Sequence, residues 1–345
     1  MQKDKPHASF FPPRVLSGVQ PSGALHLGNY FGAIQQHISL QHEYPGESFY
    51  FVASYHALTA LHNADELLKQ SWNVALDYLA LGLDPTKSTF YRQSDVPQIC
   101  ELLWILSCVT GKGLLDRGHA YKDKIEKGLA PSVGLFLYPE LMAADILALR
   151  STIVPVGNDQ LQHLEIARDV ANSFNHTFDA DVFPLPATKL NDAATVPGLD
   201  GQKMSKSYEN TIPIFLSDEE LKAKVMHIRT ASVSLGGPLN AEGDTIFTLY
   251  RLVSTSEQSE QMLERYRTGE IGYQQAKIEL LNNLRAYFAP FKEKRIELEK
   301  DLDQTEDILR DGAVRARQEV AETLEVVREK VGLASYHRIR ARLAA

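Results

Sequence analysis

Apolar residues recur at two periods along this chain, and the change from one to the other divides it. Residues 14–19 carry Val15 and Leu16 and run into Gly18, with Pro21 and Gly23 just beyond, which predicts a strand followed by a turn. Residues 27–40 fit a helix. Residues 48–53 predict a second buried strand, 65–81 and 97–110 two helices, and 89–91 and 152–156 further short strands rich in β-branched or aromatic residues. Strands alternating with helices imply parallel βαβ units, hence an α/β fold with a doubly wound sheet covered on both faces. This organisation extends to about residue 207. Beyond it apolar residues return at helical spacing, as Leu280, Leu284, Phe288 and Phe291, then Val320, Leu324, Val327 and Val331. Gly236, Gly237 and Pro238 mark a loop. The expected organisation is a sheet domain over 1–207 and an all-helical domain over 208–345, whose last helix can pack back on the first.

The 345 residues, 44% hydrophobic and 23% charged, are those of a globular chain long enough for two domains. The most apolar region, 133–149, is interrupted by Pro139, Glu140 and Asp145, so no membrane span is expected. Residues 1–14 hold no continuous apolar segment, so no secretory signal is expected and the location is read as cytoplasmic. Cys100 and Cys108 are the only cysteines and sit in an apolar segment, which predicts reduced core residues. The formal charge of −8 argues against indiscriminate binding to phosphate backbones, so any nucleic-acid contact must be local. Three basic sets are candidates: Lys222, Lys224, His227 and Arg229; Lys292, Lys294 and Arg295; and His337, Arg338, Arg340 and Arg342. Acidic residues interleave with most of these, so each also reads as a solvated helix face.

Two segments carry chemistry. The run from Ser17 to Asn29 places Gly18, Ser22, Gly23, His26 and Gly28 between the first strand and its helix. Helix N-termini offer unpaired amide donors and a partial positive charge, so phosphates are stabilised there. Gly28 would let a base or ribose approach the backbone, and His26 and Asn29 could donate to phosphate oxygens. The second segment is Lys203-Met204-Ser205-Lys206-Ser207, preceded by Gly198 and Gly201, which predicts a mobile basic loop. In-line attack at a phosphoryl centre develops charge on pyrophosphate, and Lys203 and Lys206 could supply the cations that stabilise it.

Between the two lies Asp145, set among apolar neighbours, where an unpaired carboxylate is costly to bury. It caps a helix, pairs with a core arginine, or accepts from a ligand. An indole N–H is donor only, so a carboxylate in an aromatic-sized pocket would select tryptophan, and a hydrogen-bonding site rejects analogues that lack the donor.

In this order, the two signatures resemble those of class I aminoacyl-tRNA synthetases, a His-Ile-Gly-His type motif followed by a Lys-Met-Ser-Lys-Ser loop. Residues 17–29, 51–59, 138–147 and 154–163 are similar to the bacterial tryptophanyl-tRNA synthetases, and the fourth position of the first motif, Asn29, agrees with that narrower family. The resemblance covers nearly all of the catalytic half and weakens after about residue 215. It implies a Rossmann-type catalytic domain, a helical domain binding tRNA(Trp), a homodimer, and ATP with Mg²⁺. It further implies that Gln20, Pro21, Ser22, Gly28 and Asn29 contact ATP, along with Lys203, Met204, Ser205, Lys206 and Ser207. Gly157, Asn158 and Asp159 would hold the adenosine, and Lys124 would reach the phosphates. Asp145 would read the indole, Tyr138 and Gln160 would face the amino group of L-tryptophan, and His56 and Met142 would line the pocket. Lys203, Lys206, His26 and Lys124 would be the catalytic set. Ser54 stands where many relatives have aspartate, and residues 113–119 depart from the commoner dimer-side segment. Some relatives bind an iron–sulfur cluster through four cysteines in the helical domain; both cysteines here lie before it, so no cluster is expected. A tyrosyl-tRNA synthetase is the sibling alternative, since a phenol also donates to a carboxylate. A noncatalytic RNA-binding paralogue is the alternative of another class.

Overall fold

A computed structural model describes residues 11–118, 121–122, 131–157, 160–190, 195–231 and 237–333. Strands β1 (Val15–Val19), β2 (Ser48–Val52), β3 (Ser88–Arg92), β4 (Ile153–Val156) and β5 (Ala187–Leu190) form a parallel sheet in the order β3-β2-β1-β4-β5. Side chains alternate across it. Val15, Tyr50, Val52 and Phe90 enter one core, and Leu16, Phe49, Phe51, Tyr91 and Val154 the other. The strand β5 escaped the sequence reading because Ala-Thr-Lys-Leu is short and polar, as suits an edge.

The register of β1 shapes everything downstream. It pairs with β2 along its length, from Val15 opposite Ser48 to Val19 opposite Val52, but its ladder pairing with β4 is confined to Val15 opposite Ile153, with Ser17 Oγ donating to the Pro155 carbonyl at 3.4 Å further along. With so little ladder pairing between them, the carboxyl ends of the two strands leave room for a crevice at the switch point of the strand order, and residues of both line it.

The helices are α1 (Leu27–Asn29), which continues through a π turn at Tyr30–Ile34 into α2 (Gln35–Glu43), then α3 (Ser54–Ala57), α4 (Ala64–Ala80), α5 (Gln98–Ser107), α6 (Lys112–Leu115), α7 (Val133–Ala148) and α8 (Leu161–Thr177). After the sheet come α9 (Asp218–Met226), α10 (Thr245–Leu252), α11 (Ser256–Thr268), α12 (Tyr273–Lys300) and α13 (Leu302–Val331). Helix α12 buries Leu280, Leu284 and Phe288 in the same core as Val15 and Tyr50, and Phe288 meets the rings of Tyr30 and Phe31 edge-on. Helix α13 crosses to the other face, where Ala313, Ala316, Val320, Leu324 and Val327 join the core of Leu16 and Phe51.

That crossing depends on Gly312. A Cβ there would lie 1.8 Å from the carbonyl oxygen of Phe90 in β3, a backbone atom that cannot swing aside. Gly312→Ala must lift the helix off the strand, so it is expected to cost about 3 kcal/mol or more, read as a fall in the urea midpoint.

Two sequence expectations are corrected by this packing. Cys100 and Cys108 are free but exposed. The buried stripe of α5 runs through Ile99, Leu102, Ile105 and Leu106, so positions 100, 104 and 108 fall on the opposite face, and Trp104 is 72% exposed there. Arg295 is likewise not part of a solvated basic face. It is buried and donates through Nε to Asp77 Oδ1 at 2.8 Å and through Nη2 to Asn73 at 3.3 Å, tying α12 to α4. Its neighbour Lys292 donates to the Leu216 carbonyl. Lys222, His227 and Arg229 do stand exposed, while residues 337–342 lie outside the described residues.

His37 on α2 is fully buried, stacked on Tyr50, with Nδ1 3.1 Å from the Tyr78 hydroxyl. Burial pulls its pKa down to about 3 from the ordinary 6.5. An unfolded chain takes up that proton near pH 6.5 and the folded one does not, so stability present above pH 6.5 is lost as pH falls towards 3. The loss is about 2 kcal/mol by about pH 5. Urea titrations at about pH 7 and pH 5 are expected to show a smaller drop for His37→Gln than for the native chain; equal drops would remove His37 as the cause.

Candidate active site

The crevice between β1 and β4 widens into a cavity of about 510 Å³, within the range of small-ligand pockets. Leu16, Phe51, Ala53, Ile146 and Val154 supply its apolar wall. Helix α7 supplies its polar side: Tyr138, Met142 and Asp145 stand at i, i+4 and i+7, hence on one helix face, and all three line the cavity with His56, Gln20, Gly157 and Gln160. The structure thus brings these residues, given separate parts in substrate and nucleotide binding by the sequence, to the wall of one cavity. Lys124, Asn158 and Asp159 lie outside the described residues.

Asp145 is 3% exposed. Neither of the intramolecular partners foreseen for it, a helix cap or a core arginine, is what it has. His56 Nε2 lies 2.9 Å from Oδ2, and Gln93 Nε2 donates to both carboxylate oxygens at 2.8 Å. These contacts offset the desolvation of a buried carboxylate. Gln93 was missed by the sequence reading. The available signal was its place: a polar side chain just past the carboxyl end of buried β3, where parallel sheets bind ligands. Ser54, the departure from the family pattern, accepts from the Ser94 N–H at 3.0 Å through its Oγ and so ties the end of β2 to the turn that holds Gln93.

A second chain of contacts links two of the lining residues through His163. The Tyr138 hydroxyl meets His163 Nε2, and His163 Nδ1 lies 2.9 Å from Gln160 Oε1.

The two signature segments come together beside this cavity through backbone pairing. Leu27 N–H donates to the Ile212 carbonyl at 3.0 Å, and Ile214 N–H to the Leu25 carbonyl at 3.0 Å. Lys206 then reaches the first signature: its Nζ donates to the carbonyls of Ser22 and Gly23 at 3.1 and 3.0 Å, with Ser22 Oγ at 3.4 Å. Burial lowers its pKa. Met204 is buried against Gly28, and the loop is pinned by Asn210, whose Oδ1 accepts from Ser205 N–H at 2.8 Å and whose Nδ2 donates to Asp200 at 2.7 Å. Lys203, Gln202 and Ser207 are exposed. Asn210 was another residue the sequence reading passed over.

His26 is buried at the start of α1, and its Nδ1 has no hydrogen-bond partner among the described residues. Burial and the nearby Lys206 charge hold its pKa down to about 4, so the ring is neutral at physiological pH. A Cβ on Gly28 would come within 2.9 Å of that Nδ1, so glycine keeps the approach to it open. Asn29 Oδ1 accepts from the His26 N–H at 3.1 Å and sets the loop. Pro21 is buried beneath it, with Ser22 and Gln20 exposed above. The assembly is a neutral imidazole, a helix N-terminus and a lysine gathered on the segment that continues from the cavity-lining residues 16–20, and Asp145 is the one carboxylate among the described residues that line the cavity.

The family model described as tRNA synthetases class I (W and Y) matches residues 11–289. The chain belongs to this family. The synthetase is 50% identical to the tryptophan–tRNA ligase of Fusobacterium nucleatum, over 93% of this chain and 98% of that one. It is 49% identical to the tryptophan–tRNA ligase of Rhodopirellula baltica, over 93% and 99%. Among solved structures it is similar to the tryptophanyl-tRNA synthetase of Campylobacter jejuni complexed with ADP and tryptophan. That match has a TM-score of 0.87 and 46% identity, covering 93% of this chain and 100% of that one.

Proposed function

We propose that this synthetase attaches L-tryptophan to tRNA(Trp) in two steps. The observation that carries the reading is the buried, ionisable Asp145 at the end of an aromatic-sized apolar cavity that opens beside the Lys206 and His26 loops. In the first step a tryptophan carboxylate oxygen bonds to the α-phosphorus of ATP and pyrophosphate leaves, giving tryptophanyl-adenylate. In the second, a ribose hydroxyl of the tRNA 3′-terminal adenosine attacks the acyl carbon and AMP leaves. No protein nucleophile takes part, so positioning and charge stabilisation carry the rate.

Asp145 accepts the indole N–H in this reading, Tyr138 and Gln160 face the amino group, and His56 and Met142 border the ring. Gln20, Pro21, Ser22, His26, Gly28 and Asn29 take the nucleotide from one side, and Lys203, Met204, Ser205, Lys206 and Ser207 from the other. Gly157, Asn158 and Asp159 are assigned to the adenosine and Lys124 to the phosphates. Mg²⁺ would arrive with ATP as part of the substrate. The region after about residue 207 is assigned to tRNA, with exposed Lys222, His227 and Arg229 as its phosphate contacts. A homodimer would cover Trp104 and Val133, which are 72% and 73% exposed. Among the described residues no helix is long and apolar enough to cross a membrane, and a cytoplasmic location, where tRNA is charged, belongs to the same reading.

The test is ATP–pyrophosphate exchange by the purified full chain with tryptophan or tyrosine, followed by charging of tRNA. Exchange with tryptophan is expected to exceed that with tyrosine at least about a hundredfold. Preference for tyrosine, or RNA binding without exchange, would overturn it. The curated relatives favour tryptophan over tyrosine here, since those of Fusobacterium nucleatum, Rhodopirellula baltica and Campylobacter jejuni, at 50%, 49% and 46% identity, are tryptophan–tRNA ligases.

A further inference from the structure

Gln93 has no solvent exposure and its amide is fixed at both ends. The Tyr55 N–H donates to Oε1 at 2.9 Å, which settles which end is oxygen, and Nε2 donates to both oxygens of Asp145. The turn that carries it is held from outside. Arg92 makes a two-pronged pair with Glu306 of α13 at 2.8 and 2.7 Å, and Arg317 of α13 donates to the Asp95 carbonyl at 2.8 Å. Gln93 is therefore a rigid donor, pressed against Asp145, the one carboxylate among the described residues that line the cavity.

The consequence lies in what Asp145 has left to offer. A carboxylate has about four lone-pair positions on its two oxygens. Gln93 occupies one on each oxygen and His56 a second on Oδ2, so the remaining position is on Oδ1. An indole N–H brings one donor and no acceptor, and that position satisfies it completely. A phenol can donate there too, but its oxygen also accepts, and the donors beside it, Gln93 and His56, are already turned to Asp145. A phenol oxygen buried there keeps an unmet acceptor, a penalty of about 1–3 kcal/mol.

We propose that Gln93 is the specificity-positioning residue of the amino-acid site: by chelating Asp145 it leaves the carboxylate one acceptor position, matched to a donor-only ring. The proposal rests on the tryptophan reading above. It places part of the discrimination against tyrosine, and against rings without a donor, in a residue that does not itself touch the substrate.

The test uses the full chain and measures exchange with tryptophan, tyrosine and an isostere of tryptophan in which sulfur replaces the indole N–H. Gln93→Met keeps the volume and removes the donor. Its KM for tryptophan is expected to rise about 10- to 100-fold with kcat and the KM for ATP nearly unchanged, and the preference for tryptophan over the sulfur isostere to fall about tenfold. Gln93→Glu sets two carboxylates side by side, which must share a proton. Its KM for tryptophan is expected to improve as pH falls from about 8 to about 6, because a protonated Glu donates to Asp145 as the amide did. The ionisable side chains of His56, Tyr91 and Cys100 also stand close to Asp145, and Gln93→Met retains all three, so its profile is the baseline. An unchanged KM in Gln93→Met, a raised KM with the isostere preference intact, or a Gln93→Glu profile parallel to that baseline would each overturn the proposal. Should Gln93→Met fail to fold, the Gln93→Glu profile against the native chain decides. Exchange by the native chain with tyrosine in place of tryptophan would instead overturn the substrate reading, so the two failures are distinct.

Discussion

Lys206→Ala is expected to slow tryptophan-dependent ATP–pyrophosphate exchange by about 100- to 1000-fold in kcat, with tryptophan binding altered by less than about threefold. The reason is where the ammonium stands. Its Nζ rests on the Ser22 and Gly23 carbonyls, none of the three residues belongs to the lining that Asp145 shares, and burial has already stripped it of some water. Charge appears on pyrophosphate only as the phosphorus–oxygen bond breaks, so an interaction with that charge lowers the barrier without tightening tryptophan. Exchange kinetics and tryptophan-induced fluorescence change, measured on one preparation, separate the two. Full exchange in Lys206→Ala would sink the assigned role, and a parallel loss of tryptophan binding would mean that the loop shapes the amino-acid site instead.

Asp145→Asn is expected to lower kcat/KM for tryptophan by about 100-fold, almost all of it in KM. An amide of the same shape cannot satisfy the neighbours that a carboxylate does. Gln93 Nε2 and His56 Nε2 both point at the position, and an asparagine turns its own N–H₂ towards one of them or towards the indole. One buried donor must face another in either orientation. The same variant is expected to accept the sulfur isostere nearly as well as tryptophan, because the charged acceptor that told them apart is gone. Retention of native discrimination would show that another group reads the ring. Unlike Lys206→Ala, this variant should recover its kcat at saturating tryptophan, so the two substitutions divide binding from chemistry.

Much of the candidate site was legible in the sequence because its parts are local. The strand and turn before His26 follow from Val15, Leu16, Gly18, Pro21 and Gly23, and the face shared by Tyr138, Met142 and Asp145 follows from helical spacing within ten residues. The basic loop shows itself by its own composition. Gln93 and Asn210 were not legible, since each acts on residues distant in sequence and neither lies in a charged or glycine-rich run. The cysteines misled for a related reason: apolar neighbours suggested burial, but a helix turns 100° per residue, and the positions at 100 and 108 face away from Ile99, Leu102, Ile105 and Leu106. Arg295 shows the reverse error, a charge in a basic run that the fold spends on Asp77.

By itself the sequence determined the alternation of strands and helices, the change to helical spacing near residue 207, and the two phosphate-type segments, because period, turn chemistry and local charge are properties of neighbouring residues. The tertiary structure alone decided that the ladder between β1 and β4 is confined to one residue pair, that residues 25–27 pair with 212–214 to bring Lys206 onto the first signature, and that Gln93 and His56 close on Asp145. Those outcomes depend on register and on contacts between segments far apart in the chain. A shift of one residue in a strand would turn its side chains to the opposite face.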